Sequence, residues 1–272
     1  MGTIIQNPPP IAANPEPEEE QSHGKQMSFL EHLEELRARL LRSILSIFVG
    51  TGICFYFADD IYAYLARPIT DTLKSLNMLD KLVYTNPTDP FNLYIKLSIV
   101  AGLFLASPYI LWQFWLFISP GLYRNEKRYV WPFVLLTTGL FFAGGFFAYK
   151  LAFPAALRFL LQFGHRFQPM ITVNEYFSLA TTMIVGVGLV FELPVIILLL
   201  SIFGIVTPRF LLKNIRYAVL ITAVVAAALA PTPDWTTLFV FWIPMVGLYI
   251  VSIGLSWMVY LKKRWTRKNE QA

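Results

Sequence analysis

The chain has a single cysteine, Cys54, and three histidines in 272 residues. One thiol cannot form an intrachain disulfide or a cysteine-based metal site. His23, His32 and His165 are too dispersed to suggest metal-ligand spacing. Charge is also scarce: Asp, Glu, Lys and Arg make up 14% of the residues, against about 25% in soluble domains. The sequence contains no Gly-x-Ser-x-Gly, His-Glu-x-x-His or P-loop, so hydrolytic, metalloprotease and ATP-driven chemistry have no anchor. Neither an enzymatic activity nor a cofactor is expected. Residues 1–27 lack an apolar segment, so the first membrane span is expected to act as an uncleaved anchor.

Apolar surface is plentiful. Hydrophobic residues reach 56%, aromatics 16% and mean hydropathy +0.54. These values define a chain solvated mainly by lipid. The net charge of +5 reads as loop topology, because the basic residues cluster at span ends. A nucleic-acid partner is not expected.

Residues 1–27, with Pro8, Pro9, Pro10, Pro15, Pro17 and the acids Glu16 and Glu18 to Glu20, have the composition of a disordered tail. Ser28 and Glu31 form a capping-box pattern. Phe29, Leu33, Leu36 and Leu40 then recur at helical spacing, predicting an amphipathic stretch on the membrane surface that runs into a first span at Leu40 to Ala58. Further spans are expected at Phe91 to Ile118, Tyr129 to Phe153, Tyr176 to Phe203, Tyr217 to Ala230 and Thr236 to Tyr260. Short interfacial helices are expected within residues 59–90. The fourth span is long enough to tilt, or to kink at Pro194. The fifth is short for a hydrocarbon core that needs about 20 helical residues. The resulting organisation is a cytoplasmic tail (1–27), a six-helix membrane unit (28–260) and a basic cytoplasmic tail (261–272).

Lys and Arg placement orients this unit. One side carries Lys25, Arg37, Arg39 and Arg42, then Arg124, Lys127 and Arg128, then Arg209, Lys213 and Arg216, and finally the run from Lys262 to Lys268. That side is expected to be cytoplasmic. An even number of spans puts both termini there.

Glu192 lies in the apolar string Val190-Phe-Glu-Leu-Pro-Val195. A carboxylate at that depth costs at least about 2.5 kcal/mol, so it must face other helices, a polar cavity or water. It is read as a packing acid, a proton relay or the lining of a polar notch beside the turn disturbed by Pro194. Glu35 and Glu126 are acids within the basic face. Each has a nearby arginine: Glu35 pairs with Arg39 at i,i+4, and Glu126 lies near Arg124 and Arg128. Two carboxylates on adjacent elements would also suit a guanidinium ligand, which offers fork-shaped hydrogen bonds. Asp234, in Pro231-Thr-Pro-Asp234, sits where the N-cap of the sixth span belongs.

The run Phe29-Leu-Glu-His-Leu-Glu-Glu-Leu-Arg-Ala-Arg-Leu-Leu41 resembles the amino-terminal signature of the TatC family, the multispanning core of the twin-arginine protein translocase. The run Ser107-Pro-Tyr-Ile-Leu-Trp-Gln-Phe-Trp-Leu-Phe-Ile-Ser-Pro-Gly-Leu-Tyr-Arg-Asn-Glu-Lys-Arg128 is similar to that family's most diagnostic segment. Phe191-Glu-Leu-Pro194, Pro231-Thr-Pro-Asp234 and Ile243-Pro244 follow in the family's order, so the likeness extends over about residues 28–260. It implies an all-α fold of six helices in a cupped arrangement. It also implies a receptor for the twin-arginine signal peptides of folded cargo. By position, Glu35 and Glu126 would receive the arginine pair, with Arg37 in the same patch. Pro68 and Phe91 would belong to an extracytoplasmic cap. Glu192 would be the buried acid of the fourth helix, and Asp234 an acid at the turn between helices five and six. Leu238 stands where the family often carries glutamine. The implied partners are TatA- and TatB-type single-span subunits, the lipid bilayer and further copies in a receptor complex. The implied drive is the proton motive force. The implied location is a bacterial inner membrane or a thylakoid. A proton-coupled small-solute transporter using Glu192 is the competing reading.

Overall fold

The computed structural model describes residues 29–75, 81–118, 130–164, 166–167, 170–232 and 234–270. The expected tail at 1–27, the Ser28 cap and Glu126 lie outside these residues. Ten α-helices follow in order: α1 (Phe29–Tyr56), α2 (Ala58–Ser75), α3 (Asp89–Ile118), α4 (Val130–Phe147), α5 (Phe153–Phe163), α6 (Val173–Val190), α7 (Leu193–Ile202), α8 (Pro208–Lys213), α9 (Ile215–Leu229) and α10 (Trp235–Glu270). A π-helical turn, Ala148–Ala152, joins α4 to α5. The one β pairing among the described residues is the isolated bridge between Val83 and Thr172.

Five segments are long and apolar enough to cross a bilayer: Leu30–Tyr56, Asp89–Ile118, Trp131–Phe163, Val173–Ile202 and Trp235–Leu261. The apolar helix α9 is the sixth, at 15 residues. At 1.5 Å per residue it reaches roughly 22 Å, short of the roughly 30 Å hydrocarbon thickness.

Several boundaries differ from those read in the sequence. The amphipathic start and the first span form one unbroken helix, α1. No proline or glycine interrupts it before Gly50, so nothing turns the first part away from the rest. The short helices expected after residue 59 are one helix, α2, which runs straight through Pro68. The third span continues past Phe153 into α5. The π turn absorbs the change of register, and α5 is held by burying Phe153, Ala156, Leu157 and Leu161. The fourth span breaks into α6 and α7 around Phe191 and Glu192, ahead of Pro194 in the first turn of α7.

Pro68 also explains a buried tyrosine. Lacking an amide hydrogen, it leaves the carbonyl of Tyr64 without its helical donor. Tyr149, in the π turn, donates its hydroxyl to that carbonyl at 2.6 Å, and its ring stacks on Tyr64 at 4.7 Å between centroids. Tyr176 from α6 donates to the next carbonyl, Leu65, at 2.8 Å. Pro68 thereby becomes the point at which α2 is tied to the π turn and to α6. Tyr149 is 6% exposed, so Tyr149→Phe should strand a buried carbonyl and cost about 1–3 kcal/mol. In a Pro68→Ala background, where an amide becomes available, the same change should cost less. Thermal unfolding of the four proteins in detergent checks this; equal costs in both backgrounds would refute the assigned partnership.

Ser107 does for Pro108 what Tyr149 does for Pro68. Its hydroxyl donates to the Phe104 carbonyl at 2.7 Å, the acceptor that Pro108 leaves open. Elsewhere the packing depends on small residues. A Cβ on Gly102 would lie 2.5 Å from the Thr51 amide nitrogen, and one on Gly50 would lie 2.8 Å from the Gly102 carbonyl oxygen. Helices α1 and α3 therefore cross backbone to backbone. Gly144 and Gly188 make a similar crossing between α4 and α6, where a Cβ on Gly144 would fall 2.9 Å from the Gly188 Cα. Close crossings of this kind suit a membrane interior, where packing replaces hydrophobic exclusion as the force between helices.

At the end of the molecule that holds α2, the Val83 amide donates to Ile171 at 3.0 Å and the Val173 amide to Val83 at 2.8 Å. These bonds tie the segment before α3 to the start of α6. The other end holds the first turns of α1, the last turns of α3 and helix α8. Side-chain contacts between α1 and α3 at that end build the candidate site.

Candidate functional site

Glu35 and Arg39 are one helical turn apart on α1, and the local i,i+4 pair expected from their spacing forms. Arg39 Nε donates to Glu35 Oε1 at 2.9 Å, and Arg39 Nη2 contacts the same oxygen. Arg39 Nη1 donates across to Gln113 Oε1 of α3 at 3.3 Å. His32 stacks on Phe117 of α3 with centroids 4.3 Å apart. The guanidinium is thus braced between two helices, and the carboxylate is braced by the guanidinium. The Glu35 side chain is 19% exposed. Its second oxygen, Oε2, is buried and has no hydrogen-bond partner among the described residues, with His32 Nδ1 at 3.6 Å. A carboxylate oxygen held in place yet unsatisfied is a ready acceptor for an incoming donor.

Arg37 does not share this arrangement. Two residues from Glu35, it leaves α1 about 200° around the helix, and it is exposed. Arg39 occupies the place beside the acid. The sequence reading did not single out Gln113. Its signal was faint: one amide inside the aromatic run Trp112-Gln113-Phe114-Trp115, where a polar side chain needs a partner.

Glu192 is 8% exposed. It occupies the junction between α6 and α7 without capping α7. Its Oε1 is buried and unpartnered among the described residues. Helix neighbours enclose it, in keeping with the cost of presenting an acid to lipid. Three residues on, Val195 packs with Trp115 of α3 and Val134 of α4. Pro194 is fully buried beside it.

Asp234 caps α10, accepting from the Thr237 amide at 2.6 Å and from the Thr232 hydroxyl. Burial acts to raise its pKa, but these hydrogen bonds win and hold the carboxyl below the usual carboxylate range. Pro68 lies within α2, and Phe91 in the first turn of α3 is 61% exposed. Among the described residues no cluster of His, Cys, Asp and Glu has the arrangement of a metal site.

Spanning apolar helices, an enclosed acid at the break in one of them and a braced carboxylate at one end define a multi-pass α-helical membrane protein with polar function on and within its helices. Comparison with known proteins narrows the class. The family model "TatC: Sec-independent protein translocase protein (TatC)" matches residues 31–244. A Sec-independent protein translocase protein TatC from Koribacter versatilis is 47% identical over 247 residues, covering 91% of each chain. One from Carboxydothermus hydrogenoformans is 40% identical over 233 residues, covering 85% of this chain and 93% of the other. Among solved structures, the crystal structure of the twin arginine translocase receptor TatC superposes with a TM-score of 0.72 at 39% identity, covering 85% of this chain and 100% of that one. The chain belongs to the TatC family of Sec-independent protein translocase proteins.

Proposed function

We propose that this chain is the subunit of a twin-arginine translocase that receives signal peptides of folded cargo, and that Glu35 is one of the two carboxylates that take the arginine pair. The Oε2 of Glu35, unsatisfied among the described residues, carries this reading. Arg39, itself braced by Gln113, holds the carboxylate through Oε1, and an arriving guanidinium would complete its hydrogen bonding at the other oxygen. Glu126 is the proposed second acceptor. Arginine suits such a pair better than lysine because its planar fork binds carboxylates in two places at once.

In this reading the end carrying Glu35 faces the cytoplasm of a bacterial inner membrane, or the equivalent side of a thylakoid, and both termini lie there. Residues 1–27 and 261–272 are tails flanking the membrane unit. Pro68 and Phe91 belong to the opposite cap, where the Tyr149 and Tyr176 bonds give Pro68 its structural role. TatA- and TatB-type single-span subunits and further copies of this chain complete the assembly, and the proton motive force drives it. The chain binds and organises; the chemistry of cargo is left unchanged.

The test is photo-crosslinking of a twin-arginine peptide to a probe placed near Glu126. The expected result is loss of the crosslink in Glu35→Ala, in Glu126→Ala and when the peptide carries Lys-Lys. Retention in all three cases removes the site assignment. The enclosed, unpartnered oxygen of Glu192 also suits a proton-coupled solute transporter. That reading requires solute uptake by this chain alone in vesicles, and the receptor reading predicts none.

A further inference from the structure

From Arg42 to Ile53, the face of α1 beside α3 forms one wall of a groove of about 380 Å³, lined there by Arg42, Leu45, Ser46, Val49, Gly50 and Ile53. Leu105, Ala106 and Tyr109 of α3 form the other wall. The groove runs beside the crossing at which Gly50 and Gly102 bring the two helices into backbone contact. Its walls face outward, with Leu45 63%, Val49 57%, Ile53 50% and Leu105 51% exposed. In a membrane-spanning pair of helices, such a face meets lipid.

The groove is polar at one end only. Arg42 and the Tyr109 side chain stand at the end toward Glu35, and Ile53 stands one leaflet deeper. The rise from Arg42 to Ile53 is roughly 16 Å, about half of a hydrocarbon core of about 30 Å. Arg42 has no ion pair or hydrogen bond among the described residues, whereas Arg39, one turn earlier, is fully engaged. A free guanidinium at the mouth of an apolar channel one leaflet long matches one class of ligand: a glycerophospholipid with an anionic headgroup. The phosphate would lie against Arg42 and one acyl chain along Ser46, Gly50 and Ile53.

We infer that the α1–α3 groove is a specific site for an anionic phospholipid, with Arg42 as its phosphate contact. Charge separates this occupant from a signal peptide. A peptide led by two arginines would bring cations against Arg42, and a lipid phosphate brings the opposite sign.

Native mass spectrometry of the full chain, released from detergent supplemented with phosphatidylglycerol or phosphatidylcholine, tests the site. The expected result is one strongly retained phosphatidylglycerol per chain. Retention should fall about tenfold in Arg42→Gln, the scale of one lost charge-assisted hydrogen bond. Ser46→Leu, which fills the groove without touching the charge, should reduce retention of both lipids. Helicity measured by circular dichroism should be unchanged in both variants. Equal retention of the two lipids by the parent chain, or no effect of Arg42→Gln, overturns the proposal. So does a photo-crosslinker at Leu105 that captures polypeptide in native membranes and no lipid; that result would make the groove a seat for a helix or signal peptide.

Discussion

Gly102→Val is expected to prevent α1 and α3 from docking and to leave little folded protein. The reason is local and severe. Even a single methyl on Gly102 would sit 2.5 Å from the Thr51 amide nitrogen and 2.8 Å from both the Gly50 carbonyl carbon and the Thr51 Cα. These are backbone atoms of a facing helix, so no rotamer change relieves the clash and the two helices must move apart. Gly102→Ala should therefore lie at the upper end of overpacking costs, about 3 kcal/mol, and the branched valine beyond it. The consequence reaches the candidate site, because the same crossing sets the Arg39–Gln113 and His32–Phe117 contacts farther along the pair. Gly52 and Gly247 have open space where their Cβ would be. Gly52→Ala and Gly247→Ala should be neutral, or stabilising by the helix propensity gained, up to about 1 kcal/mol. Intrinsic-fluorescence melting of detergent-purified variants checks the contrast. A Gly102→Ala protein that melts with the Gly52→Ala control would show that the helices have room at the crossing.

Glu192→Leu is expected to move stability and transport in opposite directions. The carboxyl is 8% exposed and its Oε1 is unpartnered among the described residues. A buried polar group in that state costs about 1–3 kcal/mol, which an apolar side chain of similar reach would recover. The melting temperature should therefore rise. Under the proposed function, export of twin-arginine cargo should fall at least tenfold, because the residue marks the polar point at which a signal peptide or partner helix passes α6 and α7. Peptide crosslinking near Glu126 should survive, since the proposed recognition site at Glu35 lies at the end of the molecule. Glu192→Gln, which keeps a polar group, should retain more export than Glu192→Leu. Full export by Glu192→Leu at equal protein level would remove the transport role. A lowered melting temperature would mean that Glu192 has a partner its geometry does not reveal.

The spans were legible because lipid imposes a simple rule on composition, and every apolar run became a helix near its expected place. Their ends were less legible. The expected third span stopped at Phe153, yet the helix continues through the π turn because one face of α5 is buried. Pro68 lies inside α2. It is tolerated because tyrosines distant in sequence satisfy the carbonyl it frees and the one after it. The sequence also named Glu35 and its pairing with Arg39, since i,i+4 contacts follow from helical geometry alone. The family resemblance placed Arg37 in the same patch; on α1 it is exposed and lies about 200° around the helix from Glu35.

By itself the sequence determined the class of solvent, the number of apolar helices, the family and the acids that repay attention, because these depend on composition, spacing and order. Only the tertiary structure decided which atoms of those acids are free. Among the described residues, Oε1 of Glu35 is taken and Oε2 is open, Glu192 is enclosed without a partner for Oε1, and Arg42 stands unpaired at the head of a groove. Those outcomes depend on how closely α1 approaches α3 and on how Val195, three residues beyond Glu192, packs with Trp115 and Val134. Such distances are set by contacts between residues far apart in the chain, and no local pattern encodes them.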